Sequence, residues 1–449
     1  MDASVFLLKD YIIEKVKIYM SKMNKGQKMY DLAKRLFPIC RSITGNGFRE
    51  SLSILKEQVP EIRVFEVPTG TEVFDWTVPK EWNIRDAYIE TLDGKKVIDF
   101  KKNNLHILGY SLPIDSVISK EELLQHVYTQ PEQPDWIPYV TSYYKERWGF
   151  CMSENQKQGL SEESYHVVID SSLEEGSLTY GELIIPGSSK EEIFFSTYLC
   201  HPSMANNELS GPVVQLELIK YIKSLKNRRY TYRFVFIPET IGSITYCSRN
   251  LDVLKRNTKA GFVLSCVGDD KEYSIIESRY ADTLADRVLK CVLKYHYPGY
   301  KIYSFLKRGS DEREYCAPGI DLPVCGVCRT KYGIYPEYHT SADNMAFISP
   351  SGLNGAYELM IKVINALEYN YHYQILCKGE PQLGKRGLYP TISQKGSYDS
   401  IFAMKDLLAY SDGKNDLIGI SEIINQPVDI LIPIIDKMVA NNLLIAVDK

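Results

Sequence analysis

From about residue 166 onward, the chain alternates between short apolar runs and longer amphipathic segments. The runs are almost continuously apolar, which is typical of strands buried on both faces of a sheet. The clearest intervening segment, SGPVVQLELIKYIKSLKN, carries one apolar stripe at helical spacing. This alternation predicts an α/β core with a mixed, mostly parallel sheet between layers of helices. The strand candidates are LTYGELIIPG, EIFFSTYL, YRFVFIP, AGFVLSCV and LPVCGVCRT.

The segment 71–165 has a different composition. It contains tryptophans, many prolines and short β-like runs such as KKVIDF and LHILGYSLP, so it predicts a β-rich inserted domain. Residues 1 to about 60 predict mostly helices, among them GFRESLSILKEQV, and the strand EIRVFEVP follows. We therefore assign 1–70 and 166–375 to the α/β core.

The last 60 residues predict a winged-helix domain over 390–449. Three helical patterns, IFAMKDLLAY, ISEIINQ and PVDILIPIIDKMVANN, precede the strand LLIAV. Residues 398–449 contain eight Asp or Glu and four Lys, a net charge of −4 that repels phosphate. Packing or formation of a homodimer is therefore a better prediction for this domain than DNA binding.

Charge and hydropathy exclude several classes of protein. The net charge of −4 gives no basic excess for nucleic acid. The sequence contains no run of about 18 uncharged apolar residues, so no membrane span is expected. The N-terminus lacks a signal-peptide pattern. Ten cysteines without a disulfide framework predict reduced thiols and a cytoplasmic location.

Two of the seven histidines come after strand-like runs. His201 opens HPSMANNELSGP after EIFFSTYLC, and His339 lies in YPEYHTSADN. Because ligands gather at the carboxyl ends of parallel strands, both histidines are expected at one cleft. Histidine with carboxylate is typical of a catalytic zinc site, where three protein ligands leave one position for water. Further charged candidates in similar positions are Glu239, Asp269, Asp270, Asp311 and Arg313.

Nucleophilic hydrolysis is the rival chemistry. The sequence contains neither GxSxG nor a P-loop. Cys200 is adjacent to His201, but neighbouring residues on an extended strand point to opposite faces, so we do not expect them to form a dyad.

Four motifs carry a resemblance to a known family. CHPSMANNELSGP, IPETIGSI, SDEREYCAPG and EYHTSADN resemble the bacterial aminopeptidase-like proteins often found near polysaccharide-biosynthesis genes, distant relatives of the di-zinc aminopeptidases and glutaminyl cyclases. TEVFDWTVPKEWNIRDAYI resembles their inserted domain, and the C-terminal segment resembles their winged helix. The resemblance implies a phosphorylase/hydrolase-like three-layer core.

The motifs depart from the di-zinc pattern at three positions. Ser203 stands where the relatives have the Asp of His-x-Asp, Asn207 where they have a bridging Asp, and Thr240 where they have a ligand Glu. Their general base corresponds to Glu239. The resemblance therefore implies one zinc ion rather than two.

We predict that the imidazoles of His201 and His339 hold this zinc ion, with Glu239 and Asp311 nearby. The remaining ligand is expected from a carboxylate, in order of preference Asp269, Asp270 or Glu208.

The predicted function is metal-dependent hydrolysis of an amide in a peptide or aminoacyl compound. Glu239 would act as general base, Arg313 or Tyr338 would assist the developing oxyanion, and Asn207 and Tyr338 would contact the substrate. The alternative prediction is a catalytically degenerate sugar- or peptide-binding protein that serves polysaccharide biosynthesis.

Overall fold

A computed structural model describes residues 24–388 and 399–447. The chain divides into two compact units. The first runs to Ala281 and resumes over Ile302–Tyr357, and the second comprises Asp282–Lys301 with the chain from Glu358 onward. The domain boundaries assigned from the sequence stay predictions.

An eight-stranded mixed sheet forms the centre of the first unit, as predicted. In spatial order the strands are β1 (Arg63–Pro68), β10 (Ser177–Ile185), β12 (Thr231–Ile237), β11 (Glu192–Tyr198), β13 (Thr258–Leu264), β16 (Val324–Cys328), β14 (Ser274–Ile276) and β15 (Lys301–Tyr303). The central neighbours β12–β11, β11–β13 and β13–β16 are parallel, and the pairs β1–β10, β10–β12 and β14–β16 are antiparallel.

The central strands owe their position to their apolar sequence. Every residue of β11 is buried, as expected of a strand with helices on both faces. The predicted apolar stripe of the helix after β11 is also buried at Val214, Leu218 and Ile222. The helices of the first unit are α1 (described over 24–36), α2 (Asn46–Gln58), α3 (Lys120–Leu124), α4 (Glu154–Gln158), α5 (Ser210–Ser224), α6 (Ile241–Asn257), α8 (Glu312–Tyr315) and the start of α9 (Pro350–Glu368).

The segment after β1 builds a separate four-stranded antiparallel sheet. Its order is β5 (Lys96–Asp99), β4 (Glu81–Glu90), β9 (Ser164–Glu174) and β6 (Ile114–Ser119). The prediction that LHILGYSLP is a strand was wrong, because Asn104–His106 form a 3₁₀ turn and only isolated bridges follow. Two-stranded ribbons add β2 (Glu72–Val73) with β3 (Trp76–Thr77), and β7 (Val127–Tyr128) with β8 (Phe150–Cys151).

The second unit contains the predicted helix pattern and a small sheet. Its strands pair in the order β18 (Asp412–Asp416), β17 (His372–Ile375), β19 (Leu444–Val447). Its helices are α7 (Leu284–His296), α10 (Asp399–Tyr410), α11 (Leu417–Ile424), α12 (Val428–Ala440) and the end of α9.

In the described chain, no single helix has the length and apolar character needed to cross a membrane. Only α11 and α12 taken together reach that threshold, and they meet at a 115° bend. All ten cysteines carry free thiols.

Candidate active site

His201 follows the end of the central strand β11 and is almost fully buried. Its Nδ1 donates a hydrogen bond to Oε2 of Glu208 at 2.6 Å. Its backbone carbonyl accepts a hydrogen bond from Nε of Arg41 at 3.1 Å. Burial lowers the pKa of His201, but the neighbouring Cys200 and Glu208 outweigh that effect and hold it well above its usual value. The ring is thus fixed at Nδ1, and its Nε2 faces Glu239 at 3.5 Å.

A π-helical turn, Ala205–Leu209, carries Glu208 and leads into α5, and its backbone departs from helical geometry at Asn207. Such turns are frequent at functional sites. The Asp343 carboxylate anchors the turn by accepting hydrogen bonds from the backbone N–H groups of Ala205, Asn206 and Asn207, at 3.1, 2.6 and 2.9 Å. The loop that contains His339 is therefore tied to the loop that follows His201.

Glu239 and Thr240 follow β12. The backbone of Thr240 has a left-handed φ of 63°, and its N–H donates to Oδ1 of Asp311 at 2.8 Å. Burial raises the pKa of Glu239. Burial and the charge of Glu239 together raise the pKa of Asp311. Asp311 is therefore close to Glu239, as predicted, and supports the turn that presents it.

His339 lies across the cleft from His201, with ring centroids 5.5 Å apart. Its ring stacks on Tyr338 at 3.9 Å and meets the edge of Tyr139 at 5.1 Å. Burial, with the positive charge of His201, lowers the pKa of His339 to about 3, so its imidazole is neutral. In the described part of the chain, its buried Nε2 has no hydrogen-bond partner. A neutral imidazole of this kind is a suitable metal ligand.

Backbone strain concentrates around these side chains. Left-handed φ values are uncommon for residues other than glycine and cluster at functional sites. Ten described non-glycine residues have them, and four lie at or beside the cleft: Ser203, Thr240, Cys266 and His339.

A pocket of about 290 Å³ opens onto the two histidines and Glu239. Several of its lining residues come from the segment 71–165. The pocket is lined by Ile43, Trp76, Tyr139, Thr141, Tyr143, Tyr144, Cys200, His201, Glu239, Thr240, Ile241, Arg313 and His339.

Two predicted ligands are engaged elsewhere. Asp269 accepts hydrogen bonds from Asn206, Lys271 and Thr330, and Asp270 accepts from the hydroxyls of Ser349 and Ser351. Neither carboxylate forms a hydrogen bond with the cleft histidines. The structure instead brings Glu208, the last of the three in order of preference, to His201.

Arg313 and Asn207 are both at the site. Nη2 of Arg313 donates to Oγ1 of Thr240 at 2.5 Å beside the pocket. Asn207 accepts a hydrogen bond from the hydroxyl of Tyr198 at 2.7 Å, and its buried Nδ2 has no partner among the described residues. An amide cannot supply the negative charge of a bridging carboxylate.

The expected separation of Cys200 and His201 was wrong. The strand β11 ends at Tyr198, so its alternation of faces does not extend to them, and Sγ of Cys200 lies 3.6 Å from Nδ1 of His201. Burial raises the pKa of the Cys200 thiol to about 12, so it stays protonated near neutral pH. The contact does not create a thiolate nucleophile.

The residues fit a zinc ion at Nε2 of His201 better than at Nδ1, and at Nε2 the ion would replace the proton of the imidazolium. Cys200, His201 and Glu208 have donor atoms within 4.8 Å of one another. Donors of one tetrahedral zinc ion lie roughly 3.3 Å apart, whereas Nδ1 of His201 and Glu208 are 2.6 Å apart. That distance is a hydrogen bond of the kind that orients a metal-binding histidine. His339 and Glu239 supply further donors of the right type, although these atoms must draw closer to share one ion.

Sequence reasoning missed three contributors to the site. Arg41 is 160 positions from His201, Asp343 lies four residues after His339, and Tyr139 contacts both histidine rings. The motif EYHTSADN gave the one available signal, because its aspartate follows the histidine at short range.

Two family profiles together match most of the chain. A domain of unknown function, DUF4910, matches residues 30–370, and a winged helix-turn-helix matches residues 371–446. A Clostridium acetobutylicum protein, provisionally described as a polysaccharide biosynthesis protein with an aminopeptidase-like domain, is 47% identical over 412 residues. That match covers 91% of this chain and 94% of the relative.

Solved structures extend the similarity. A crystal structure from Clostridium acetobutylicum, provisionally described as a peptidase, has a TM-score of 0.90 at 44% identity and covers 97% of this chain and 100% of that chain. A zinc aminopeptidase from Bacillus subtilis has a TM-score of 0.53 at 12% identity, covering 76% of this chain and 94% of that one. At that identity, the second likeness shows a shared fold.

Proposed function

The chain belongs to the DUF4910 family of aminopeptidase-like proteins with a C-terminal winged helix, and on that premise we propose that it is a metal-dependent hydrolase. Its substrate would be an amide in a peptide or aminoacyl compound. The orientation of the two imidazoles in the cleft is the main support for this function. Glu208 fixes His201 at Nδ1, and the buried Nε2 of His339 has no partner in the described chain.

The pattern of substitutions supports one metal ion rather than two. The relatives' His-x-Asp carboxylate is replaced by Ser203, but Glu208 supplies a carboxylate to the same histidine. No comparable replacement accompanies Asn207 or Thr240. The proposed ligands are therefore the imidazoles of His201 and His339, with water in an open position of the site. Glu239 is left free to act as the base.

Glu239 is the proposed general base. When bound, zinc would polarise the amide carbonyl and lower the pKa of the attacking water. The Glu239 carboxylate would take a proton from that water and pass it to the leaving amine. Its burial, which raises its pKa, suits a group that must accept a proton and then release it.

Arg313 is the proposed stabiliser of negative charge on the amide oxygen. It lines the pocket, and its guanidinium donates to Thr240, the residue after Glu239. Tyr338 has the lesser role here, since its ring stacks on His339 and so orients that imidazole.

Asn207 and Thr240 favour a second candidate, a degenerate site that binds a sugar or peptide without turning it over. Both occupy positions where the relatives have ligand carboxylates. Such a binding protein would serve polysaccharide biosynthesis, which the description of the Clostridium acetobutylicum relative names.

Hydrolysis of aminoacyl amides by zinc-loaded protein distinguishes the two candidates. We expect Glu239→Gln to lower kcat by about 10²-fold or more, since proton transfer contributes that much in general-base catalysis. The matched control is Glu50→Gln on the exposed surface of α2. Activity that is equal in Glu239→Gln and wild type would refute the proposed mechanism. Absence of hydrolysis for all the aminoacyl amides tested would favour the binding protein.

A further inference from the structure

Two large aromatic side chains at the pocket are unusually exposed. Trp76 in β3 and Tyr144 have 39% and 60% of their surface accessible, and both line the pocket. Their rings meet edge to face, with centroids 5.7 Å apart. Exposed aromatic surface beside a cleft is typical of a ligand-binding site.

Residues that carry a hydroxyl or a guanidinium group are among those lining the pocket. The hydroxyls of Tyr139 and Tyr143 are hydrogen-bonded to each other at 2.7 Å. Thr141 is a further hydroxyl-bearing residue of the lining, and Arg313 donates to the hydroxyl of Thr240. Hydroxyls both donate and accept hydrogen bonds, so this wall suits a ligand that carries many hydroxyls.

Aliphatic side chains are scarce in the same lining. Ile43 and Ile241 are the two present, against four aromatic residues, Trp76, Tyr139, Tyr143 and Tyr144. An apolar ligand group is usually covered by a mostly hydrophobic lining with few polar groups. A pyranose ring differs, because its C–H faces pack on aromatic rings while its equatorial hydroxyls need hydrogen-bond partners.

We propose, building on the hydrolase function above, that the amine half of the substrate is an amino sugar. The amide would join a carboxylic or amino acid to that sugar. The sugar ring would stack in the corner formed by Trp76 and Tyr144, with its hydroxyls toward Thr141, and the amide would lie beside Glu239 and Arg313. The segment 71–165 thus supplies the specificity of a site whose chemistry comes from the α/β core.

The reaction consumes one water molecule. The water oxygen forms a bond to the acyl carbon, and the bond from that carbon to the sugar nitrogen breaks. One water proton passes by way of Glu239 to the nitrogen. The products are the free acid and the free amino sugar.

The test compares two substrates with the same acyl group, N-glycyl-glucosamine and glycinamide, on zinc-loaded protein. We expect a higher kcat/KM for the sugar amide. Trp76→Ala and Tyr144→Ala should each raise KM for N-glycyl-glucosamine about tenfold and leave kcat within about twofold, because they remove binding shared by ground and transition states. The control, Tyr280→Ala, removes another exposed tyrosine, one outside the pocket lining, and should change neither constant.

Calorimetry with D-glucosamine gives a readout that does not need catalysis. We expect binding to wild type and to Tyr280→Ala, weakened about tenfold in Trp76→Ala. Hydrolysis of glycinamide without preference for the sugar amide would overturn this inference and leave the hydrolase function intact. Glucosamine binding without any hydrolysis would support the sugar site and count against the hydrolase. A protein that neither binds glucosamine nor cleaves its amide would overturn the inference.

Discussion

Two histidines in this protein each lie between two carboxylates, in very different surroundings. In the cleft, His201 contacts Glu208 at 2.6 Å and Glu239 at 3.5 Å. On the four-stranded sheet, His166 contacts Glu90 at 2.8 Å and Asp115 at 2.7 Å. By contact distance alone, the sheet histidine is the more tightly held.

The surroundings separate the two. The side chain of His201 is 4% exposed and lines the pocket, whereas that of His166 is 30% exposed and is not among the residues lining it. Both ring nitrogens of His166 donate hydrogen bonds to carboxylates on the flanking strands β4 and β6. The protonated ring therefore links the two strands to its own. A histidine between carboxylates indicates a candidate catalytic site only when one nitrogen faces a cavity and the other is fixed.

Removing one carboxylate from each region should show the difference most strongly. In metal-free protein, we expect Glu208→Gln to lower the free energy of unfolding by about 3 kcal/mol, because the buried His201 cation loses its nearer carboxylate. Glu90→Gln on the sheet should cost at most about 1 kcal/mol, as for exposed ion pairs. Urea unfolding followed by tryptophan fluorescence measures both, since all four tryptophans lie in the first unit. Equal small losses would mean that the cleft contact is no stronger than a surface pair.

The sequence predicted the positions of strand ends better than the directions of the side chains beyond them. The strand ends followed from apolar runs, so His201, Glu239 and His339 were correctly placed near one another, and the mixed sheet was confirmed. Side-chain direction beyond a strand end does not follow from alternation. For that reason the contact of Cys200 with His201 was missed.

Loop conformation set the second limit. Glu208 reaches His201 because a π-helical turn redirects it, and no local pattern in ANNEL indicates such a turn. Arg41 contributes through the tertiary fold from 160 positions away. The strand prediction for LHILGYSLP failed because an apolar run resembles a buried strand even where the chain forms a 3₁₀ turn and a loop.

A pH series on the sheet histidine should give the smallest effect. Hydrogen bonds that His166 donates to the carboxylates of Asp115 and Glu90 raise its pKa above the usual value of about 6.5. Its stabilising contribution is therefore complete below about pH 6.5 and is lost as pH rises through the raised folded-state pKa. We expect the free energy of unfolding of wild type to exceed that of His166→Gln by at most about 1 kcal/mol at pH 6, and this difference should shrink toward alkaline pH. A difference that grows with rising pH would contradict a stabilising role for the protonated ring.

The number of zinc ions bound per chain tests whether the cleft is a metal site. Protein purified without chelator or histidine tag, equilibrated with zinc and dialysed, should contain about one zinc ion per chain by mass spectrometry. That zinc should disappear in His201→Ala and in His339→Ala and persist in His166→Ala, the matched change on the sheet. A value near two would contradict the assignment of Asn207 as a lost bridging ligand. No bound zinc in wild type, or zinc retained in both cleft variants, would contradict the account of the cleft as a metal site.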